Sequence, residues 1–198
     1  MATLYDLKPK FQALLRPTVQ SLANKGYTPN QITWIALVLS LVAGGFIALT
    51  NGSTWTLVLI PFVLFMRMAL NAIDGMLAKE HNMKSDGGAI LNEMADVISD
   101  VALYLPFALI AGVSSVWVVL FVIMAILTEM AGVLGWAVKQ DRRYDGPIGK
   151  SDRAFVMGFI ALLLVFDVGA GTWLTILFIV ITVLSAWTSM RRILKALS

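Results

Sequence analysis

Cysteine is absent from this 198-residue chain, which excludes disulfide bonds, thiolate metal sites and a cysteine nucleophile together. Charge is scarce as well: Asp, Glu, Lys and Arg make up 14% of the residues, against about 25% in soluble domains. Hydrophobic residues fill 59% of the chain and mean hydropathy is +0.82, so the composition is that of an integral membrane protein. Histidine occurs once, as His81, in a polar stretch that reads as a solvated loop. The period-two alternation of a transmembrane strand is missing, which leaves helices as the spanning elements. No internal repeat and no low-complexity segment interrupts the pattern.

What is present is a series of apolar runs, at 32–49, 55–77, 89–110, 116–138, 154–166 and 173–187. They predict an all-α membrane protein of six transmembrane helices in one domain over 1–198, with the bundle at 32–187 and no room for a separate soluble domain. The fifth run is short unless it extends back to Ser151 or on to Val168. Before the bundle, Leu4, Leu7, Phe11, Leu14, Leu15, Val19 and Leu22 recur at helical spacing between Lys8, Lys10 and Arg16. That pattern predicts an interfacial amphipathic helix over 1–25 in place of a secretory signal, with a bend at Pro17. It either anchors the chain at the membrane surface or also shapes a lipid-substrate entrance. Thr28, Pro29 and Asn30 make the turn into the first span.

The loops differ sharply in charge. Lys79 and Lys84 follow the second run; Lys139, Arg142, Arg143, Lys150 and Arg153 lie between the fourth and fifth; Arg191, Arg192 and Lys195 follow the sixth. The alternate loops at 51–54, 112–115 and 169–172 hold no Lys or Arg. By the positive-inside rule both termini are cytoplasmic, and the formal charge of +3 reflects topology and not a nucleic-acid surface. Trp and Met residues read as lipid-facing or packing groups.

Against this background, polar residues between the second and third runs stand out, because a carboxylate at membrane depth costs roughly 2.5–3.5 kcal/mol on insertion scales. Asn71, Asp74, Gly75 and Ala78 share one helix face, and Gly88, Asn92, Asp96 and Asp100 form a stripe stepping about 6 Å per four residues. A short connection lets the two faces meet in an antiparallel hairpin. Oxygen ligands converging there suit Mg²⁺ or Mn²⁺ held together with substrate phosphates. Small residues at Gly75, Ala78 and Gly88 allow close approach of a nucleotide or a helix.

At these residues the chain resembles the CDP-alcohol phosphatidyltransferase family, whose motif is D-x-x-D-G-x-x-A-R, eight residues, then G-x-x-x-D-x-x-x-D. Here the positions are Asn71, Asp74, Gly75, Ala78, Lys79, then Gly88, Asn92 and Asp96; every spacing matches, while Asn71, Asn92 and Lys79 depart in identity. The resemblance extends over essentially the whole chain. It implies a phospholipid-synthesis enzyme of the inner (cytoplasmic) membrane, multi-pass, with its active site facing the cytoplasm and two divalent ions, Mg²⁺ or Mn²⁺, on the pyrophosphate. The reaction it implies is transfer of a phosphatidyl group from CDP-diacylglycerol to an alcohol, releasing CMP. It further implies Asn71, Asp74, Asn92 and Asp96 at the metal positions, Asp96 as the base that deprotonates the acceptor, Gly75, Ala78, Lys79 and Gly88 against the CDP moiety, and a homodimer.

Each asparagine removes a formal negative charge, and Glu93 or Asp100, both adjacent on the helix, is expected to replace it. Asp100 has a second reading, an intramembrane ion pair with Arg67. Glu129 either supports the site or pairs with Arg67. Lys150 and Arg153 lie at i and i+3, so they either flank the fifth span beside a Ser151 or Asp152 cap or bind an anionic acceptor such as glycerol 3-phosphate or an inositol phosphate. The reverse polarity, from a CDP-alcohol to diacylglycerol, uses the same motif. A catalytically degenerate lipid- or nucleotide-binding scaffold draws on the two asparagines. Ion conduction fits less well, because the polar groups gather on one side of the bilayer.

Overall fold

The computed structural model of the chain describes residues 4–198, and side chains from residue 9 onward. Residues 1–3 of the expected amphipathic segment, and the side chains of Leu4, Leu7 and Lys8, lie outside the described part. Among the described residues the chain is all-helical: α1 Leu4–Asn24, α2 Pro29–Leu49, α3 Thr54–Glu80, α4 Asp86–Tyr104, α5 Ser115–Lys139, α6 Lys150–Val165 and α7 Thr172–Leu197.

Local chemistry sets the boundaries. Thr28 caps α2, its hydroxyl accepting from the Gln31 amide while the Gln31 side chain accepts from the Thr28 amide, and Pro29 occupies the first turn, where its missing N–H goes unneeded. Ser85 caps α4 by accepting from the Gly88 amide at 3.1 Å. The run at 89–110 is not one continuous α-helix, as expected from its hydropathy. It changes at Tyr104 into a 3₁₀ segment, Leu105–Leu109, with Pro106 in its first turn. The short run does extend backward: α6 begins at Lys150, Gly149 is its cap residue, and the Asp152 carboxylate accepts from the Gly149 amide at 2.8 Å. Helix α1 runs through Pro9 and Pro17 as a single element.

Helices α2, α3, α5 and α7 are each long and apolar enough to cross a membrane. By the same measure α4 and α6 are not: α4 carries Asp86, Glu93, Asp96 and Asp100, and α6, with 16 residues, is only about 24 Å long. Both nevertheless turn apolar side chains outward, Ile90, Met94 and Ile98 on α4 and Phe155 and Phe159 on α6, while Asp100 and Arg153 are buried.

Helices α2 to α7 run up and down. Helix α5 packs along α7, α2 contacts both α3 and α4, and α3 packs on α6. One end of the bundle is dry, centred on Tyr104, Phe107, Phe121 and Phe178, with the Tyr104–Phe121 and Phe121–Phe178 rings 5.8 and 6.0 Å apart. The other end gathers the α3–α4 and α5–α6 connections and most of the ionisable groups. There α1 lies on α3: Val19 is packed with Ile32, Ile73, Met76 and Leu77, Phe11 meets Phe65 edge-on, and Arg16 reaches Glu80 at 2.9 Å. The helix that carries the first half of the motif is thereby backed by the N-terminal one.

Candidate active site

The hairpin of α3 and α4 brings the two polar faces together. The Asn71 side-chain amide donates to Asp96 Oδ1 at 3.0 Å, joining the two stripes directly. Asp74 is buried, its Oδ2 accepting from the Thr33 hydroxyl at 2.9 Å; Thr33 sits one turn inside the capped start of α2. Gly88 lies where a Cβ would stand 2.8 Å from Asn30 Oδ1 and 2.9 Å from Ser85 Oγ, so a larger residue would push against the α2 turn. Around Gly75 a Cβ would meet nothing within 4 Å, which leaves open space beside the motif, while Lys79 is exposed and Ala78 and Asn92 are half-buried.

A network of buried ions surrounds this pair of faces. Arg67 donates to Asp100 Oδ1 at 2.6 Å and to the backbone carbonyl of Asp96 at 2.9 Å. Arg153 bridges Asp100 Oδ2 at 3.2 Å and Glu129 Oε1 at 2.7 Å. Arg142 pairs with Glu93 and also reaches Glu129 Oε2 at 2.9 Å, and Arg192 stands 3.6 Å from Glu129 Oε1. Lys150 pairs with Asp96. Removing one partner from such a buried pair leaves an uncompensated charge, so the network rigidifies the polar end of the bundle.

Several sequence expectations change here. Asp100 spends both oxygens on Arg67 and Arg153, so it is not free to replace the charge missing at Asn71 and Asn92, while Glu93 pairs with Arg142 through Oε1. Of the two readings of Asp100, the ion pair with Arg67 is the one observed. Glu129 does not pair with Arg67; its partners are Arg142, Arg153 and Arg192, because α5 packs along α7 and the long arginine side chains reach Glu129 from α6 and the α5–α6 connection. Lys150 and Arg153 do share a face but serve different carboxylates, and Arg153 is wholly buried. The sequence carries no sign of the roles of Thr33 and Arg142 here: Thr33 is an ordinary helix residue, and Arg142 reads as one more positive charge beside a span.

Among the described residues no three Asp, Glu or His side chains converge as a metal cluster. The four acidic positions of the motif hold two carboxylates, Asp74 and Asp96, and two amides, Asn71 and Asn92. All are hard oxygen donors, which fits a divalent cation completed by substrate phosphates and not an all-protein cage.

This fold, an all-helical membrane bundle with a carboxylate–amide hairpin at its polar end, defines a class: the chain belongs to the CDP-alcohol phosphatidyltransferase family, whose profile matches residues 26–187. Members are membrane transferases of phospholipid synthesis, for which metal binding is typical. Over 190 residues the chain is 45% identical to the inner membrane protein YnbA of Escherichia coli (strain K12), covering 96% of this chain and 94% of that protein. It is 31% identical over 106 residues to the archaetidylinositol phosphate synthase of Pyrococcus horikoshii, 54% of each chain. In fold it is similar to Mycobacterium tuberculosis phosphatidylinositol phosphate synthase (PgsA1) with CDP-DAG bound, at a TM-score of 0.74 and 18% identity over 91% of this chain and 92% of that one. The same protein in complex with manganese and citrate gives 0.74 at 17% identity over 92% and 88% of the two chains.

Proposed function

We propose that the chain transfers a phosphatidyl group from CDP-diacylglycerol to a phosphorylated polyol, such as glycerol 3-phosphate or an inositol phosphate, releasing CMP at the cytoplasmic face of the inner membrane. The observation that carries this reading is the Asn71–Asp96 contact between α3 and α4, which sets Asp74 and Asp96 on one face beside the open space at Gly75. Asp74 and Asp96, with the carbonyl oxygens of Asn71 and Asn92, would hold a divalent cation, Mg²⁺ or Mn²⁺. The chemistry such an ion supplies when bound is withdrawal of charge from the pyrophosphate. Gly75, Ala78, Lys79 and Gly88 line the approach for the CDP moiety.

Asp96 accepts the proton of the acceptor hydroxyl, whose oxygen forms the new bond to the lipid-side phosphorus as the bond to the CMP oxygen breaks. Lys150 and Arg142 are half-buried against Asp96 and Glu93, so an anionic acceptor approaching Asp96 meets partly desolvated cations, which favours a phosphorylated alcohol over a neutral one. Arg153 orients this wall from beneath through Asp100 and Glu129. The outward apolar faces of α4 and α6 support six spans, and the basic residues at the polar end favour a cytoplasmic position for it and for both termini. Residues 1–198 then form a single domain, acting as a homodimer.

The test is purified protein in lipid with CDP-diacylglycerol, Mg²⁺ or Mn²⁺ and a panel of acceptors, with CMP release followed and the lipid product identified by mass. Turnover is expected with a phosphorylated polyol, and Asp96→Asn should lower it by about 10²-fold or more. No CMP with any acceptor would reject the transfer. Asn71 and Asn92 favour a second reading, a scaffold, which would bind the CDP-lipid without releasing CMP.

A further inference from the structure

Asp96 Oδ1 is surrounded by donors. The Lys150 ammonium pairs with it, the Asn71 amide nitrogen donates to it at 3.0 Å, and Arg67 Nη2 stands 3.6 Å away. Three donors thus crowd one oxygen, and Oδ2 is the one these contacts leave for a cation. Asn71 turns its NH₂ group toward Asp96, so on that side it presents a donor, which repels a cation. Elsewhere in the network Asp100 is held on both oxygens by Arg67 and Arg153, Glu129 on both by three arginines, and Glu93 through Oε1 by Arg142.

We propose that this site takes one divalent cation, and that the Lys150 ammonium is the second positive charge, built into the chain and seated on Asp96. The proposal rests on the reading of Asp74 and Asp96 as the metal-holding face. The motif's own charge agrees with it: Asn71 and Asn92 leave Asp74 and Asp96 as its only carboxylates, and one of these already carries the ammonium. Lys150 stands at the first turn of α6, fixed below by Arg153 on Asp100 and Glu129, so its charge is delivered by a positioned helix.

The experiment counts Mn²⁺ bound to the full chain in nanodiscs with saturating CDP-diacylglycerol and no acceptor, using the electron paramagnetic resonance signal of free Mn²⁺ during titration. Wild type is expected to bind one ion per chain. Asn71→Asp alone should still bind one, because the ammonium remains, while Asn71→Asp with Lys150→Met should bind two. Two ions or none in wild type, two in the single variant, or one in a folded double variant would each overturn the proposal; should the double variant not fold, wild type and the single variant decide. CMP release on the same samples separates this from the proposed function. One bound ion without CMP release from any acceptor sinks the transfer and leaves the ion count standing, and two bound ions with turnover do the reverse.

Discussion

Arg153 heads the fully buried side chains by size, and its Nη2 is shared between Asp100 and Glu129 from two different helices. An arginine inside a membrane bundle persists only where its charge is matched, and truncation leaves carboxylates without their counter-charge. Arg153→Met is therefore expected to destabilise the chain by about 3–5 kcal/mol, read from unfolding in detergent against wild type, whereas removing an exposed charge such as Lys79 should change stability by less than about 0.5 kcal/mol. At this scale the sequence exposes the chemistry but not the pairing. Helical spacing puts Asn71 with Asp74, and Lys150 with Arg153, on common faces. It is silent on which neighbouring helix each face meets, so the Arg67–Glu129 pair it allowed does not form, and Thr33, which holds Asp74, gives no local sign at all.

Helix α2 and helix α4 approach so closely at Gly44 that a Cβ there would lie 1.9 Å from the Ala102 carbonyl oxygen. The obstacle is backbone, which cannot rotate aside, so Gly44→Ala should force the two helices apart and lower stability by about 1–3 kcal/mol, checked by unfolding in detergent. Because α2 also carries Thr33 against Asp74, the same variant should weaken CDP-diacylglycerol binding. Element boundaries were largely legible: the Thr28–Pro29–Asn30 turn and a helical first segment follow from local capping and periodicity, and of the two extensions open to the fifth run, back to Ser151 or on to Val168, the backward one occurs and reaches Lys150. The exception is the run at 89–110. Hydropathy alone does not register that Pro106 lacks a backbone donor, and the helix tightens there into a 3₁₀ segment.

At the scale of the whole molecule, the dry aromatic end and the ionic end give the bundle a polarity that the loop charges predict to be cytoplasmic at the ionic end. The absence of cysteine makes this directly measurable. Single cysteines at Ser115 and Val168 should react with a membrane-impermeant maleimide on intact cells, and cysteines at Asn82 and Tyr144 only after permeabilisation; labelling of all four alike would refute the orientation. The sequence by itself determined the membrane class, the helical content, the amphipathic lead helix, and the motif spacing that carries family membership, because composition, hydropathy and periodicity are local properties that the chain carries along its length. Only the tertiary structure decided how the charges are spent. Whether Asp100 and Glu93 were free to stand in for the missing carboxylates, and whether Lys150 would meet Asp96, depended on how α3, α4, α5 and α6 pack. In a medium that cannot solvate a lone charge, each buried ion is fixed by the partner that packing brings to it.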